Sequence, residues 1–115
     1  MKIKKHHING KKTAEVVSAE ILIDSEERAL DLLGNLYYEG YEGIIIYEQN
    51  LPPAFFDLKT GMAGEILQKF TNYRMPLVIV GDYSKYTGKS LADFIMESNK
   101  GHQVNFVATL SDALK

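Results

Sequence analysis

Two short apolar runs with an amphipathic helix pattern between them constrain the fold of this chain more than any other feature. The runs, Gly43–Glu48 and Leu77–Asp82, have the continuous hydrophobicity of strands that are buried on both faces of a sheet. Between them, a 3.6-residue period predicts a helix that starts at Thr60 and keeps Tyr73 on its core-facing stripe. A strand, a helix and a second strand in this order favour a parallel sheet with right-handed crossovers.

The segments on either side extend this pattern to the whole chain. Asn9-Gly10 predicts a type I′ hairpin turn between the strands Lys2–Ile8 and Lys12–Ser18, because both central residues of this turn need positive φ. Asp24 is expected to open a helix that stops at Gly40. Three more elements are predicted further on: a helix at Ser90–Asn99, a strand at Val104–Val107 and a short last helix capped by Thr109.

The predicted fold is one α/β domain, residues 1–115, with the order β-β-α-β-α-β-α-β-α and a mixed, mainly parallel sheet of about five strands. Cysteine is absent, which excludes disulfides and thiol chemistry. A net charge of −2 argues against a nucleic-acid or acidic-membrane partner, and Lys4, Lys5, Lys11 and Lys12 are interpreted as the solvated rim of the hairpin. No apolar run approaches the roughly 20 residues of a membrane span, so we expect a cytoplasmic protein.

Two sequence blocks carry a resemblance to a known fold. Asp57-Leu58-Lys59-Thr60-Gly61-Met62 follows the third predicted strand, and Phe106–Leu114 combines a strand, a capping threonine and a last helix. Both blocks resemble the sulfate-transporter and anti-sigma-factor-antagonist domain, the STAS fold. In that family a serine before the glycine is phosphorylated by a partner kinase, and Thr60 lies at the corresponding position. The resemblance implies a regulatory domain whose protein partner is a kinase or an anti-sigma-type regulator.

A second resemblance covers the whole chain. The run Phe55–Phe70, together with Gly81–Tyr86 and Phe94–Gly101, is similar to a small bacterial family known only as domain of unknown function 4180. This resemblance implies no activity, so the functional expectations rest on the individual residues and on the STAS-like blocks.

Thr60 and Gly61 form the first candidate site because they lie at the predicted start of the central helix, beyond the carboxyl end of a strand. Free backbone N–H groups and the helix dipole favour an anion at such a place. Thr60 is therefore a candidate phospho-acceptor or anion-binding residue. The alternative is a structural cap, whose oxygen accepts a hydrogen bond from a first-turn N–H and contributes about 1 kcal/mol. The two roles do not exclude each other.

Glu48, Asp57 and Asp82 form the second candidate site, with Tyr83 and Lys85 at its rim. Ligands of open α/β sheets gather at the carboxyl edge, so these side chains are predicted to face one crevice. Three carboxylates in a crevice suit Mg²⁺ or a pair of general acid and base. The structural alternative is a set of solvated loop acids.

We therefore expect a non-enzymatic regulatory or protein-interaction module, switched by phosphorylation or anion binding at the start of the central helix. The alternative is a small-molecule-binding protein or a minor enzyme that uses the carboxylate crevice. No cofactor and no metal site is predicted, since His6 and His7 point to opposite faces of a strand and His102 stands alone. A homodimer is considered as an assembly state.

Overall fold

The computed structural model describes residues 1–115 and contains a five-stranded sheet and four α-helices. The strands are β1 (Lys2–Ile8), β2 (Lys11–Val17), β3 (Gly43–Tyr47), β4 (Leu77–Val80) and β5 (Val104–Val107). The helices are α1 (Glu26–Tyr38), α2 (Met62–Asn72), α3 (Lys89–Ser98) and α4 (Leu110–Ala113). Three short 3₁₀ turns, at Glu48–Asn50, Pro53–Phe56 and Leu58–Thr60, connect β3 to α2. The predicted order of strands and helices is confirmed.

The strands lie side by side in the order of the chain, β1-β2-β3-β4-β5. β1 is antiparallel to β2, and the other three pairs are parallel. Each crossover therefore steps in the same direction, and right-handed connections place their helices on the same side of the sheet. α1, α2 and α3 cover this first face, whereas the four-residue α4 covers only part of the second. The predicted mixed, mainly parallel α/β sheet is confirmed.

The N-terminal hairpin turns where the sequence predicts. Asn9 and Gly10 have φ angles of 52° and 81°, the positive values that a type I′ turn requires. The paired register runs from Ile8 opposite Lys11 to Lys2 opposite Val17. This register brings β1 onto the sheet as an antiparallel edge strand.

The main core lies between the first face of the sheet and the helices. Ile44, Ile46 and Ile79 are buried on this face, while Ile45 and Val80 are buried on the second face next to α4. The prediction that the β3 and β4 runs are neighbouring parallel strands is confirmed. Val78, in the middle of β4, is only half-buried, because α4 is too short to cover it.

Two predicted helix starts and one predicted core residue are wrong. The N-cap of α1 is Ser25, whose Oγ accepts a hydrogen bond from the Arg28 N–H at 3.1 Å, and Asp24 instead forms an ion pair with the Arg28 side chain. α2 begins at Met62, two residues after the predicted start. It ends before Tyr73, whose side chain is 53% exposed instead of joining the core.

The end of α1 follows the prediction. Gly40 adopts a φ of 89°, and the Tyr41 N–H donates to the Leu36 carbonyl at 3.0 Å, which is the hydrogen bond of a Schellman motif. Glycine fits here because an L side chain is strained at positive φ.

None of the four helices combines the length and the hydropathy of a membrane-crossing segment.

Asn50, a fully buried amide, fastens the segment between β2 and α1 to the end of β3. Its Nδ2 donates to the carbonyls of Ser18 and Glu20, both at 2.9 Å, and its Oδ1 accepts from the Tyr47 N–H at 2.9 Å. Its own carbonyl accepts from the Leu22 N–H at 2.8 Å. The backbone of this segment is therefore held by hydrogen bonds to the side chain and the carbonyl of one residue, although the segment forms no strand.

Candidate functional site

Two loops at the carboxyl edge of the sheet enclose an open cleft of about 720 Å³. One loop carries the 3₁₀ turns between β3 and α2, and the other, residues 81–88, connects β4 to α3. The cleft is lined by Phe56, Asp57, Leu58, Lys59, Lys85, Tyr86, Thr87, Gly88, Ser90 and Leu91. Because open α/β sheets bind ligands at this edge, the cleft is the candidate functional site.

Glu48 ties the second loop to the end of β3. This residue is only 8% exposed, and its carboxylate accepts hydrogen bonds from the Tyr86 hydroxyl at 2.6 Å and from the Asp82 N–H at 3.2 Å. The ammonium group of Lys85 lies 2.7 Å from the same carboxylate. A buried carboxylate is stable only with such partners, because burial removes it from water. Glu48 therefore fixes the loop, with both of its carboxylate oxygens hydrogen-bonded.

Gly81 lets the end of β4 approach Glu48 closely. A Cβ on this residue would lie 2.4 Å from the Cβ of Glu48 and 2.8 Å from its Oε1, closer than real side chains come. Glycine is therefore required here by space alone.

Two tyrosines fix the second loop against the aromatic residues of the first. The ring of Tyr86 stacks on Phe56, with centroids 4.6 Å apart and an interplanar angle of 16°. Burial raises the pKa of Tyr86, and the hydrogen bond to Glu48 raises it further. Tyr83 donates its hydroxyl to the Ile79 carbonyl, and burial followed by the charge of Glu48 raises its pKa as well. Both phenols are therefore protonated at neutral pH and act as donors.

The mouth of the cleft carries cationic and hydroxyl groups. Lys59 is exposed and forms no ion pair, and Thr87 and Ser90 are exposed on the opposite wall. α3 begins after Gly88 without a side-chain cap. No site is predicted at these residues from the sequence. The sequence signal near Thr87 and Ser90 is the Gly88-Lys89-Ser90 run, which opens α3 after the loop 81–88, whereas Lys59 lies outside this run.

Thr60 lies in the last 3₁₀ turn and not in α2. Its hydroxyl oxygen is 2.7 Å from the Ala54 carbonyl and 2.9 Å from the Asp57 carbonyl, to which it donates. The same oxygen accepts a hydrogen bond from the Met62 N–H, the first of α2, at 3.2 Å. Gly61, with a φ of 76°, occupies the N-cap. Thr60 thus satisfies a helix N–H as the sequence predicts, from a position outside the helix.

The three predicted carboxylates do not form a common site. Asp82 accepts hydrogen bonds from the Ser84 hydroxyl at 2.6 Å and the Ser84 N–H at 3.0 Å, which lower the pKa of Asp82. Asp57 accepts from the Lys59 N–H at 3.2 Å and is the only one of the three that lines the cleft. No group of three or more acidic or histidine side chains is placed to hold one metal ion. Asp57 and Asp82 instead accept hydrogen bonds within their own loops, and Glu48 accepts from the opposite loop.

A second polar cluster lies on the second face of the sheet, where the sequence analysis predicts no site. Glu15 in β2 is 3% exposed, and its two oxygens lie 2.9 Å from His6 Nε2 and 2.7 Å from the Tyr47 hydroxyl that donates to it. Burial raises the pKa of Glu15, but the hydrogen bonds with His6 and Tyr47 outweigh burial and leave that pKa lowered. Burial and the bond to Glu15 raise the pKa of Tyr47 to about 12. The cluster fastens β1 and β3 to β2.

The amino-acid sequence matches the domain of unknown function DUF4180 over residues 8–115. The chain belongs to the DUF4180 family. No curated protein and no solved structure matches it. The matched region contains both loops of the cleft, Glu15 and Tyr47, and it begins at the last residue of β1. The predicted family resemblance is thereby confirmed, and the STAS resemblance stays a prediction.

In this DUF4180 domain, Gly81→Ala should lower the free energy of unfolding by about 1–3 kcal/mol, because the added methyl group displaces Glu48. Gly34→Ala is the matched control. Gly34 is exposed within α1 with no neighbouring atom within 4 Å of an added Cβ, so alanine should raise the stability by about 0.4–1 kcal/mol. Urea unfolding measures both. Equal shifts in the two variants would contradict the close approach of Gly81 to Glu48.

The lowered pKa of Glu15 predicts a pH dependence of the stability of the DUF4180 domain. The ionised carboxylate contributes stability above its ordinary pKa of 4.5, and this contribution is lost as the pH falls through the lowered value of the folded state. Glu15→Gln should therefore lower the stability at neutral pH and flatten its decrease in acid. Urea midpoints between about pH 7 and pH 3 measure the effect.

Glu20→Gln is the control for this measurement, because Glu20 is exposed in the loop after β2 and makes no ion pair. Its profile should run parallel to that of the wild type. Superimposable profiles for the Glu15 and Glu20 variants would mean that the cluster contributes nothing to the loss of stability in acid.

Proposed function

We propose that this protein is a non-enzymatic regulatory and protein-interaction module whose switch is the Asp57–Gly61 segment beside the cleft. One observation carries the proposal. The hydroxyl of Thr60, an exposed residue, links this segment to Ala54 before it and to Met62 after it, in addition to the backbone hydrogen bonds of the turns, and the same segment forms one wall of the cleft. A chemical change at one side chain therefore alters the shape of the surface that a partner would contact.

Phosphorylation of Thr60 breaks the hydrogen bonds that close the segment. The phosphoryl group replaces the hydroxyl hydrogen that is donated to the carbonyls of Ala54 and Asp57. It also adds negative charge next to the exposed Asp57 carboxylate, and the two groups repel each other. Both effects favour release of the last 3₁₀ turn from the turn before it. The hydroxyl of Thr60 belongs to an exposed residue, so a kinase reaches it without unfolding the core.

Release of the segment changes the cleft directly. Asp57, Leu58 and Lys59 belong to the moving segment and line the cleft. Phe56, directly before it, stacks on Tyr86 of the opposite loop. The opposite loop stays in place through Glu48, so the two walls respond differently. One fixed wall and one releasable wall form a two-state element of the kind that regulatory modifications act on.

The proposal includes the setting that the STAS resemblance implies. The domain is STAS-like and bacterial, acts in the cytoplasm, and meets a kinase or an anti-sigma-type regulator as its protein partner. The order of strands and helices and the position of Thr60 before Gly61 support this relationship.

Thr60→Val keeps the side-chain volume and removes the hydroxyl, so it should lower the stability by about 0.5–2 kcal/mol and accelerate amide hydrogen exchange across residues 54–64. Thr60→Asp should accelerate exchange as well, because an aspartate accepts from the Met62 N–H but donates nothing to the two carbonyls. Thr60→Ser retains the hydroxyl and is the matched control, with exchange close to the wild type. Hydrogen exchange read by mass spectrometry compares the three variants.

Two further measurements connect this switch to regulation. Mass spectrometry of the protein from its native cell should find phosphate on Thr60, and the aspartate and serine variants should capture different partners from a native lysate. Identical exchange in the valine and serine variants would refute the switch. Thr60 without phosphate, together with identical partners, would leave it a structural residue.

A binding protein for a small anion is the second candidate function, and the concave shape of the cleft favours it. Lys59 and Lys85 lie on opposite walls, and the hydroxyls of Thr87 and Ser90 lie near the start of α3. Ammonium and hydroxyl groups of this kind donate hydrogen bonds to phosphate oxygens. The enzyme version of this candidate is less well supported, because the Glu48 carboxylate is already occupied by three partners.

Titration with inorganic pyrophosphate tests this second function. NMR amide shifts should saturate at the cleft residues, and Lys59→Gln should weaken binding about tenfold if one charge-assisted bond of ordinary strength is lost. Lys100→Gln is the control, because Lys100 is exposed at the far end of α3, paired with Glu97. Equal affinities of the two variants, or shifts outside the cleft, would contradict anion binding there.

A further inference from the structure

The charge of this chain is divided unevenly between the first strands and the rest of the domain. Residues 1–12 contain five lysines and no acid, which gives a charge of +5. Since the whole chain carries −2, the remaining residues carry −7. The sequence analysis interprets the lysines as a solvated rim, and the cleft uses none of them. A basic hairpin on an otherwise acidic domain attracts acidic partners to the hairpin, while the rest of the domain repels them.

The basic residues lie on an open sheet edge. β1 is paired only with β2, so alternate N–H and C=O groups along its seven residues face away from the sheet without a strand partner. Lys2, Lys4 and Lys5 are exposed along this edge. The edge therefore presents backbone donors and acceptors together with positive side chains.

The edge strand is held firmly enough to act as a template. The seven-residue register with β2 is continuous, and His6 lies 2.9 Å from the buried carboxylate of Glu15. Ile3 packs against the main core from the other face. β1 is thus anchored on both faces of the sheet, while its outer edge stays free.

The same lysines disfavour pairing between two copies of this chain. A two-fold antiparallel pairing of two β1 strands centred on Lys5 places Lys5 opposite Lys5, and centring it on Lys4 places Lys4 opposite Lys4. Like charges directly opposite each other destabilise a strand pair. Centring it on Ile3 places Lys2 opposite Lys4. A strand with carboxylates at these positions meets no such repulsion.

We propose that the β1 edge is a docking site for an extended acidic segment of a partner protein, which adds to the sheet as a sixth strand. Its backbone pairs with the free groups of β1, and its carboxylates pair with Lys2, Lys4 and Lys5. This site lies on strand β1 at the sheet edge, does not include the cleft and does not depend on the function proposed for it.

A short peptide segment fits the charge distribution better than a long polyanion. Nucleic acid or an anionic membrane extends beyond the hairpin and meets a body of charge −7, which repels it. It also offers no backbone N–H and C=O groups in the spacing of a strand. A peptide contacts the hairpin alone and satisfies both the charges and the open hydrogen-bonding edge.

The test uses the full chain and a fluorescent synthetic peptide of repeated Glu-Glu-Val, which carries carboxylates on both faces of the added strand because Lys4 and Lys5 lie on opposite faces of β1. Binding should saturate at low salt and weaken as salt is raised, and NMR should show new protection of outward-facing amides in β1. The triple variant Lys2→Gln, Lys4→Gln, Lys5→Gln should bind about tenfold more weakly, as the loss of three exposed ion pairs predicts. The control, Lys89→Gln with Lys100→Gln and Lys115→Gln, removes the same charge from other exposed lysines and should bind like the wild type.

Two further peptides separate strand addition from attraction between charges, and both use the wild-type protein. A peptide N-methylated at alternate residues keeps every carboxylate but loses the N–H groups, so it should not bind. A peptide of alternating lysine and valine should not bind either. Equal binding of the N-methylated peptide, equal weakening in both triple variants, or no saturation would overturn the proposal. Tighter binding to duplex DNA or anionic vesicles through the same three lysines would also overturn it.

Discussion

The burial of the Glu48 carboxylate is the constraint on which the carboxyl edge of the sheet depends. A charge removed from water needs partners close by, and the chain supplies a phenol, an ammonium group and a backbone N–H from one loop. That requirement fixes the course of residues 82–86 and demands glycine at position 81. It also orients Tyr86, whose ring then provides the stacking surface for Phe56. The two walls of the cleft are thus positioned from one side chain at the end of β3.

Asn50 acts on the neighbouring segment by the same physical rule. A buried amide must satisfy its donors and its acceptor: Asn50 donates to two carbonyls of the segment between β2 and α1 and accepts from the Tyr47 N–H at the end of β3. Glu48 and Asn50 belong to one 3₁₀ turn directly after β3. Buried polar side chains therefore do at this edge what regular secondary structure does elsewhere. They position irregular loops accurately enough to build a site on them.

The parts of the fold that depend on local patterns were predictable from the sequence. The apolar run around Ile45 and the Asn9-Gly10 turn each specify their structure within a few residues, because burial and positive φ restrict the choice. The contacts of the candidate site were not predictable in the same way. Tyr86 lies 38 residues from Glu48 along the chain, and Tyr47 lies 32 residues from Glu15. Residues 48–60 contain three 3₁₀ turns without hydrophobic periodicity, so the sequence pattern predicts a helix from Thr60, whereas α2 starts at Met62.

The strand order β1-β2-β3-β4-β5 has a consequence for how the chain acquires its structure. Every strand pairs with the strand that precedes it in the sequence, so no pairing waits for a distant segment. Each parallel pair is separated by one crossover only, for example from Thr13 to Gly43, and this keeps the loop-closure entropy of each step lower than a connection that skips a strand. During synthesis the hairpin leaves the ribosome before the later strands, and each later strand finds its neighbour already synthesised. The sheet can grow in the direction of translation, one strand and one crossover helix at a time.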